Sequence, residues 1–191
     1  MRVSACLVLV AALMATGCDK QSAPTEQANA ASANNADAAT SPTAGIAGKI
    51  DRTHMGSPAP TLRFDGPDGK PTTLAAFGGK PVLLNLWATW CAPCVKELPT
   101  LDALAVREAG KIQVVTLSQD MDPAKVAPFF AERQFKALKA YTDPKMAWAT
   151  TLGANLPTTI LFDSAGKEVW RTTGDLDWTG PVATQALAEL S

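Results

Sequence analysis

Residues 82–99 read Val-Leu-Leu-Asn-Leu-Trp-Ala-Thr-Trp-Cys-Ala-Pro-Cys-Val-Lys-Glu-Leu-Pro, an apolar run that feeds directly into a Cys-x-x-Cys pair. The part from Val82 to Ala88 is short, bulky and interrupted only by Asn85, as expected of a strand covered on both faces. Beyond the cysteines Val95, Leu98, Leu101 and Leu104 recur at helical spacing, and Pro93 falls early enough to be tolerated in a first turn. Cys91 and Cys94 therefore sit where a buried strand gives way to a helix.

That position carries chemistry. The first turn of a helix has unpaired N–H groups and the positive end of the dipole, which favour a thiolate on Cys91. Cys94, three residues on, shares its side of the helix and can attack a mixed disulfide formed at Cys91. Two other readings use the same spacing, a structural disulfide and half of a metal site, but the strand-to-helix setting favours a redox pair.

Leu-Leu-Asn-Leu-Trp-Ala-Thr-Trp-Cys-Ala-Pro-Cys resembles the active-site segment of the thioredoxin superfamily, with Trp-Cys-x-Pro-Cys intact from Trp90 to Cys94 and Pro99 matching in the following helix. Asn85, Thr89 and the Lys-Glu-Leu-Pro run resemble more narrowly the membrane-anchored bacterial disulfide reductases similar to TlpA and ResA. The resemblance spans residues 56–191. It implies a thioredoxin-like α/β fold, a central mixed sheet flanked by helices, with an N-terminal β-hairpin and a central insertion.

The 191 residues, 47% of them apolar, suffice for one ordinary domain and extra segments. A formal net charge of −1 and no basic cluster argue against a nucleic-acid partner. Residues 1–17 carry Arg2, the apolar stretch Val3 to Met14 and then small residues, which reads as a secretory signal too short to span a bilayer. Ala15-Thr16-Gly17-Cys18 resembles a lipobox, implying lipidation at Cys18 and an anchor in the membrane. Ala15 departs from the large aliphatic preferred there, and the alternative is a freely soluble exported form. Asp19 resembles an inner-membrane retention signal. Residues 18–55 read as a low-complexity tether: from Lys20 to about Ile50 there is almost no bulky apolar side chain, and about thirty such residues span roughly 30 Å as a coil.

The domain is expected from Gly56. Thr61 to Phe64 and Pro71 to Thr73 flank a turn-rich connection and suggest the hairpin. Lys111 to Leu117 reads as a second buried strand. Asp122-Pro123 looks like a helix start, with Pro128 either kinking that helix or delaying it. A short segment at 137–141 and a helix over 145–152 fill the insertion. Leu156-Pro157-Thr158 resembles the cis-proline loop that faces the cysteines, whose backbone can pair with an extended substrate. Ile160 to Phe162 and Glu168 to Thr172 form a hairpin, and Val182, Ala186 and Leu190 place one face of a last helix inward.

Asn85 stands where thioredoxins carry the buried aspartate that takes a proton from the resolving cysteine, and an amide cannot do so. Glu97, three residues past Cys94, and Asp120, past the second buried strand, are the candidate replacements, each weighed against a solvated surface charge. Trp90 is expected to shield the disulfide and offer a substrate platform.

The family resemblance implies a periplasmic, inner-membrane-anchored reductase of disulfides in exported proteins, in cytochrome c maturation or in preparing oxidase copper sites. Electrons would come from a membrane thiol transporter of the DsbD or CcdA kind, with no cofactor beyond the Cys91–Cys94 pair. A DsbA-like oxidant is the alternative of opposite direction, and Ala-Pro between the cysteines differs from the Pro-His associated with strong oxidants. A metal- or apocytochrome-binding module is the non-enzymatic alternative. Against it, zinc needs about four ligands, whereas the expected mature domain offers two cysteines and His54.

Overall fold

A computed structural model describes residues 48–190. The signal, the lipobox with Cys18 and most of the tether lie outside the described residues. In chain order the strands are β1 (Lys49–Asp51), β2 (Phe64–Asp65), β3 (Pro71–Thr72), β4 (Val82–Trp87), β5 (Gln113–Ser118), β6 (Ala140–Thr142), β7 (Thr158–Phe162) and β8 (Glu168–Thr173). The helices are α1 (Ala92–Arg107), α2 (Val126–Arg133), α3 (Ala147–Leu152) and α4 (Pro181–Leu187). One sheet runs in the order β1-β8-β7-β4-β5-β6-β2-β3. The β4–β5 and β5–β6 pairs are parallel and the other pairs are antiparallel.

The alternation of β4 divides the interior. Leu83 and Trp87 join the helical side with Leu98, Leu101 and Leu104 of α1, Val126 of α2 and Ala183, Ala186 and Leu187 of α4. Leu84 and Leu86 face the other way, onto Val115, Leu117, Trp148 of α3, Phe64 and Leu74. Each large side chain buried in full stabilises the fold by about 1.5–3 kcal/mol. Asn85 lies between Leu83 and Trp87 in the period-2 pattern, so its amide points toward α1.

Several expectations are corrected. The sheet takes in residues before Gly56: β1 pairs Lys49 with Thr173, Ile50 with Thr172 and Asp51 with Arg171. Residues read as tether thus form an edge strand, because β8 presents a free edge and Ile50 packs against the helical-side core. Gly48 approaches β8 so closely that a Cβ there would collide with Thr172 Oγ1. The N-terminal hairpin is present but brief, Phe64 pairing with Thr72 and Asp65 with Pro71, and it joins the sheet beyond β6. Pro128 delays the helix. A 3-10 turn over Pro123–Lys125, capped by Asp122 Oδ1 accepting from Ala124 N at 3.2 Å, precedes α2. Pro128 is then the third residue of α2, where an N–H would lack an intrahelical partner anyway.

The phase of the last helix also differs. Ala183, Ala186 and Leu187 are buried, whereas Val182 is 47% exposed. With only a few apolar residues in seven, two neighbouring helical phases fit the pattern almost equally.

A chain starting at Gly56 is expected to unfold at lower urea than one starting at Gly48, by an amount equivalent to about 2 kcal/mol for the lost strand bonds and the uncovered Ile50 site. Equal midpoints would show that β1 contributes nothing to the domain.

Candidate active site

Strand β4 ends at Trp87 and α1 starts at Ala92, with Cys91 as its N-cap in extended conformation (φ −90°, ψ 97°). Cys91 Sγ accepts from Cys94 N at 3.4 Å, so the sulfur occupies the place of a capping oxygen at the positive end of the helix. The cysteines are joined in a disulfide with Cα atoms 5.2 Å apart. Cys91 retains 6% exposure and Cys94 none, so an incoming sulfur can reach Cys91 first. Pro93 lies in the first turn. Trp90 is 66% exposed beside the disulfide, whereas Trp87 is fully buried against Phe129 and Phe130, at 5.1 and 5.6 Å between ring centroids.

The Leu156–Pro157 peptide bond is cis. Pro93, Leu156 and Pro157 meet along a groove of about 690 Å³ whose far wall is formed by Ile50 and Arg52 beside Thr173. The structure therefore brings Pro93 together with the proline loop and adds a wall from the stretch read as tether. The Pro157 carbonyl is taken by Gly174 N at 2.9 Å.

Glu97 is not a surface charge. It is 3% exposed, one turn beyond Cys94 on α1. Its Oε1 accepts from Asn85 Nδ2 at 2.8 Å, and its Oε2 accepts from Leu176 N and from Trp178 Nε1, each at 3.1 Å. Asn85 Nδ2 also donates to Thr159 Oγ1 at 2.8 Å, while Asn85 Oδ1 has no protein partner. Burial pushes the Glu97 carboxyl up to about 7, outweighing the three hydrogen bonds that favour the anion, and the nearby Asp175 charge adds to the rise.

Asp120 is also buried, but it is a clamp. It accepts from Thr89 N at 2.9 Å, Thr89 Oγ1 at 2.6 Å and Ser118 Oγ at 2.7 Å, fixing the segment that carries Trp90. The alternative of a solvated surface charge fails for Asp120 because β5 ends inside the protein at this point. Trp178, Leu176 and Thr159 were not singled out in the sequence. A tryptophan in the Asp- and Gly-rich stretch 174–180 was the available signal, since so large an apolar ring in a loop usually covers something. Among the described residues no group of three or more His, Cys, Asp or Glu side chains converges as a metal site.

The profile of the Redoxin family matches residues 54–187. The chain is 30% identical over 132 residues to the thiol-disulfide oxidoreductase ResA of Bacillus cereus, covering 69% of this chain and 76% of that protein. Among solved structures it is similar to a Chlorobium tepidum chain assigned as the thiol:disulfide interchange protein DsbE, at 28% identity and TM-score 0.63 over 72% of this chain and 98% of that one. It is also similar to an exposed lipoprotein thioredoxin of Streptococcus pneumoniae, at 28% identity and TM-score 0.60 over 68% and 98%.

Folded Glu97 holds its proton more tightly than an unfolded chain would. It therefore favours the folded state below the ordinary carboxyl range near 4.5, and this contribution is lost as pH rises through about 7. Urea unfolding of the oxidised protein should show stability falling across that window by on the order of 3 kcal/mol. Glu97→Gln should flatten the slope, and an unchanged slope would show that another group titrates.

Proposed function

The chain belongs to the Redoxin family, and from that premise we propose that this thiol-disulfide oxidoreductase works as a reductase of disulfides in exported proteins. The observation that carries the reading is a disulfide at the N-terminus of α1 whose reachable sulfur is Cys91, two residues before the Pro93 that lines the groove with Leu156 and Pro157. An extended substrate enters that groove. Because the Pro157 carbonyl is engaged by Gly174, the substrate backbone pairs with the peptide of Leu156. Trp90 offers an exposed ring against which its apolar residues rest.

In the reduced protein the Cys91 thiolate attacks one sulfur of the substrate disulfide and the other leaves as a thiolate. Cys94 then gives its proton to Glu97, attacks Cys91 Sγ and expels the second substrate sulfur. Two electrons pass from the pair to the substrate, and the Cys91–Cys94 disulfide remains. Glu97 suits the acceptor role through its place one turn past Cys94 and its titration near neutrality. The cysteines carry the electrons themselves. A membrane thiol transporter of the DsbD or CcdA kind restores the dithiol, and a lipid on Cys18 holds the protein at the periplasmic face of the inner membrane.

The direction is tested by equilibrating the chain from Gly48 with thiol/disulfide buffers. A potential near or below roughly −220 mV is expected, and one near roughly −120 mV would make the protein an oxidant. Cys91→Ser should reduce disulfide reduction to the uncatalysed rate. Cys94→Ser should accumulate a mixed disulfide with substrate, and full turnover by either variant would refute the mechanism. Release of substrate from a Cys91 mixed disulfide should accelerate as pH rises through about 7, and Glu97→Gln should abolish that inflection.

A further inference from the structure

The loop between β8 and α4 is bound to the active-site helix at several points. Lys96 Nζ meets Asp175 Oδ2 at 3.0 Å, and Leu176 N and Trp178 Nε1 both reach Glu97 Oε2 at 3.1 Å. Trp178 N donates to Thr100 Oγ1 at 3.2 Å, and that hydroxyl donates to the Glu97 carbonyl at 2.9 Å. Trp178 is fully buried. Packing alone would need its ring but not its N–H, which is aimed at one oxygen of one carboxylate.

That aim separates the two oxygens. A carboxylate oxygen has two lone-pair sites. On Oε2 both are used, by Leu176 and Trp178, whereas Oε1 accepts from Asn85 Nδ2 and keeps one site. A proton placed on Oε2 would have to displace a buried N–H, leaving that donor unpaired. Oε1 also faces Asn85 on β4, the strand that leads to Cys91.

We propose that Trp178 is a positioning residue for the redox reaction: with the Leu176 amide it fills both lone pairs of Glu97 Oε2, so that the carboxylate takes up and returns the Cys94 proton through Oε1 alone. The inference rests on the proton-acceptor reading of Glu97. In the step it serves, the Cys94 S–H bond breaks and its proton passes to Oε1. The sulfur's electron pair forms the bond to Cys91 Sγ, and the Cys91–substrate bond breaks with its pair leaving on the substrate sulfur. The groups facing Glu97 are few. Asp175 on the same loop bears a charge that Lys96 of α1 offsets, and Asn85 on β4 and Thr159 on β7 do not titrate.

Trp178→Phe keeps the ring and deletes the N–H. Single-turnover release of a peptide thiol from a Cys91 mixed disulfide is followed from about pH 5 to about pH 9 in the wild type, in Trp178→Phe and in Glu97→Gln. Loss of one hydrogen bond to the anion should move the inflection of Trp178→Phe upward by about one pH unit. Release near pH 7 should slow several-fold, and the rates should converge with the wild type above both inflections. An unmoved inflection, or equal slowing at every pH as general loosening of the helix would give, overturns the proposal. Retention of the wild-type inflection in Glu97→Gln would instead refute the acceptor reading itself. Should Trp178→Phe fail to fold, the indole ¹H–¹⁵N resonance of Trp178 in the wild-type protein decides. Its shift must follow the same inflection as release, and a resonance indifferent to pH over that range overturns the proposal.

Discussion

The buried carboxylate of Glu97 ties together three parts of the molecule that are distant in sequence. Asn85 reaches it from β4, its own backbone belongs to α1, and Leu176 and Trp178 reach it from the loop before α4. An ionised carboxylate buried without donors would cost several kcal/mol. Three donors reduce that cost without removing it, which is why burial still holds the group near neutrality. The balance makes it suited to proton transfer: full satisfaction would fix it as an anion, and fewer donors would fix it as an acid.

Two other buried carboxylates show the contrast. Asp102 accepts from the backbone N–H groups of Lys136, Ala137 and Leu138 at 2.8–3.0 Å, which fastens the central insertion to α1. Asp120 accepts from Thr89 and Ser118 and holds the turn that presents Trp90 and Cys91. Asp102 thus meets only peptide N–H groups of one loop, and Asp120 meets one peptide N–H and two hydroxyls beside the strand ends. Glu97 instead meets an amide, an indole N–H and one peptide N–H drawn from two separate elements, and it alone of the three lies one turn from a cysteine.

What the sequence made legible follows from the range of each signal. The apolar run at 82–88, the Cys-x-x-Cys and the helical spacing after it are local, so strand, motif and helix could be read directly, and the cis-proline loop was legible through its resemblance. The three residues of β1 carry no such pattern. Lys49-Ile50-Asp51 has one apolar side chain, and it becomes a strand because β8 offers an edge, which is a property of the finished sheet. The burial of Glu97 and Asp120 is not legible in the sequence for a related reason. A glutamate in the sequence reads as solvated until its partners, 12 residues away at Asn85 and 81 away at Trp178, are seen to converge on it.

That convergence also gives a physical reason for the amide at Asn85. Thioredoxins place an aspartate at the corresponding strand position, and here the acid stands on the helix instead. An aspartate at 85 would replace the 2.8 Å donor to Oε1 with a second acceptor, and two anions at that distance in a buried site cannot both persist. One proton would be shared between them, and the two would titrate as a coupled pair with the second step pushed up. The amide avoids this while keeping the same reach, donating to Glu97 and to Thr159 from one nitrogen. Moving the acid from strand to helix carries a further consequence. An acid on α1 can be reached by the loop after β8, and so Leu176 and Trp178 come to bond Glu97 while Asp175 pairs with Lys96 of the same helix. The loop before α4 is thereby fastened to the helix that carries Cys94, although Asp175, Leu176 and Trp178 stand more than eighty positions from that cysteine in the chain.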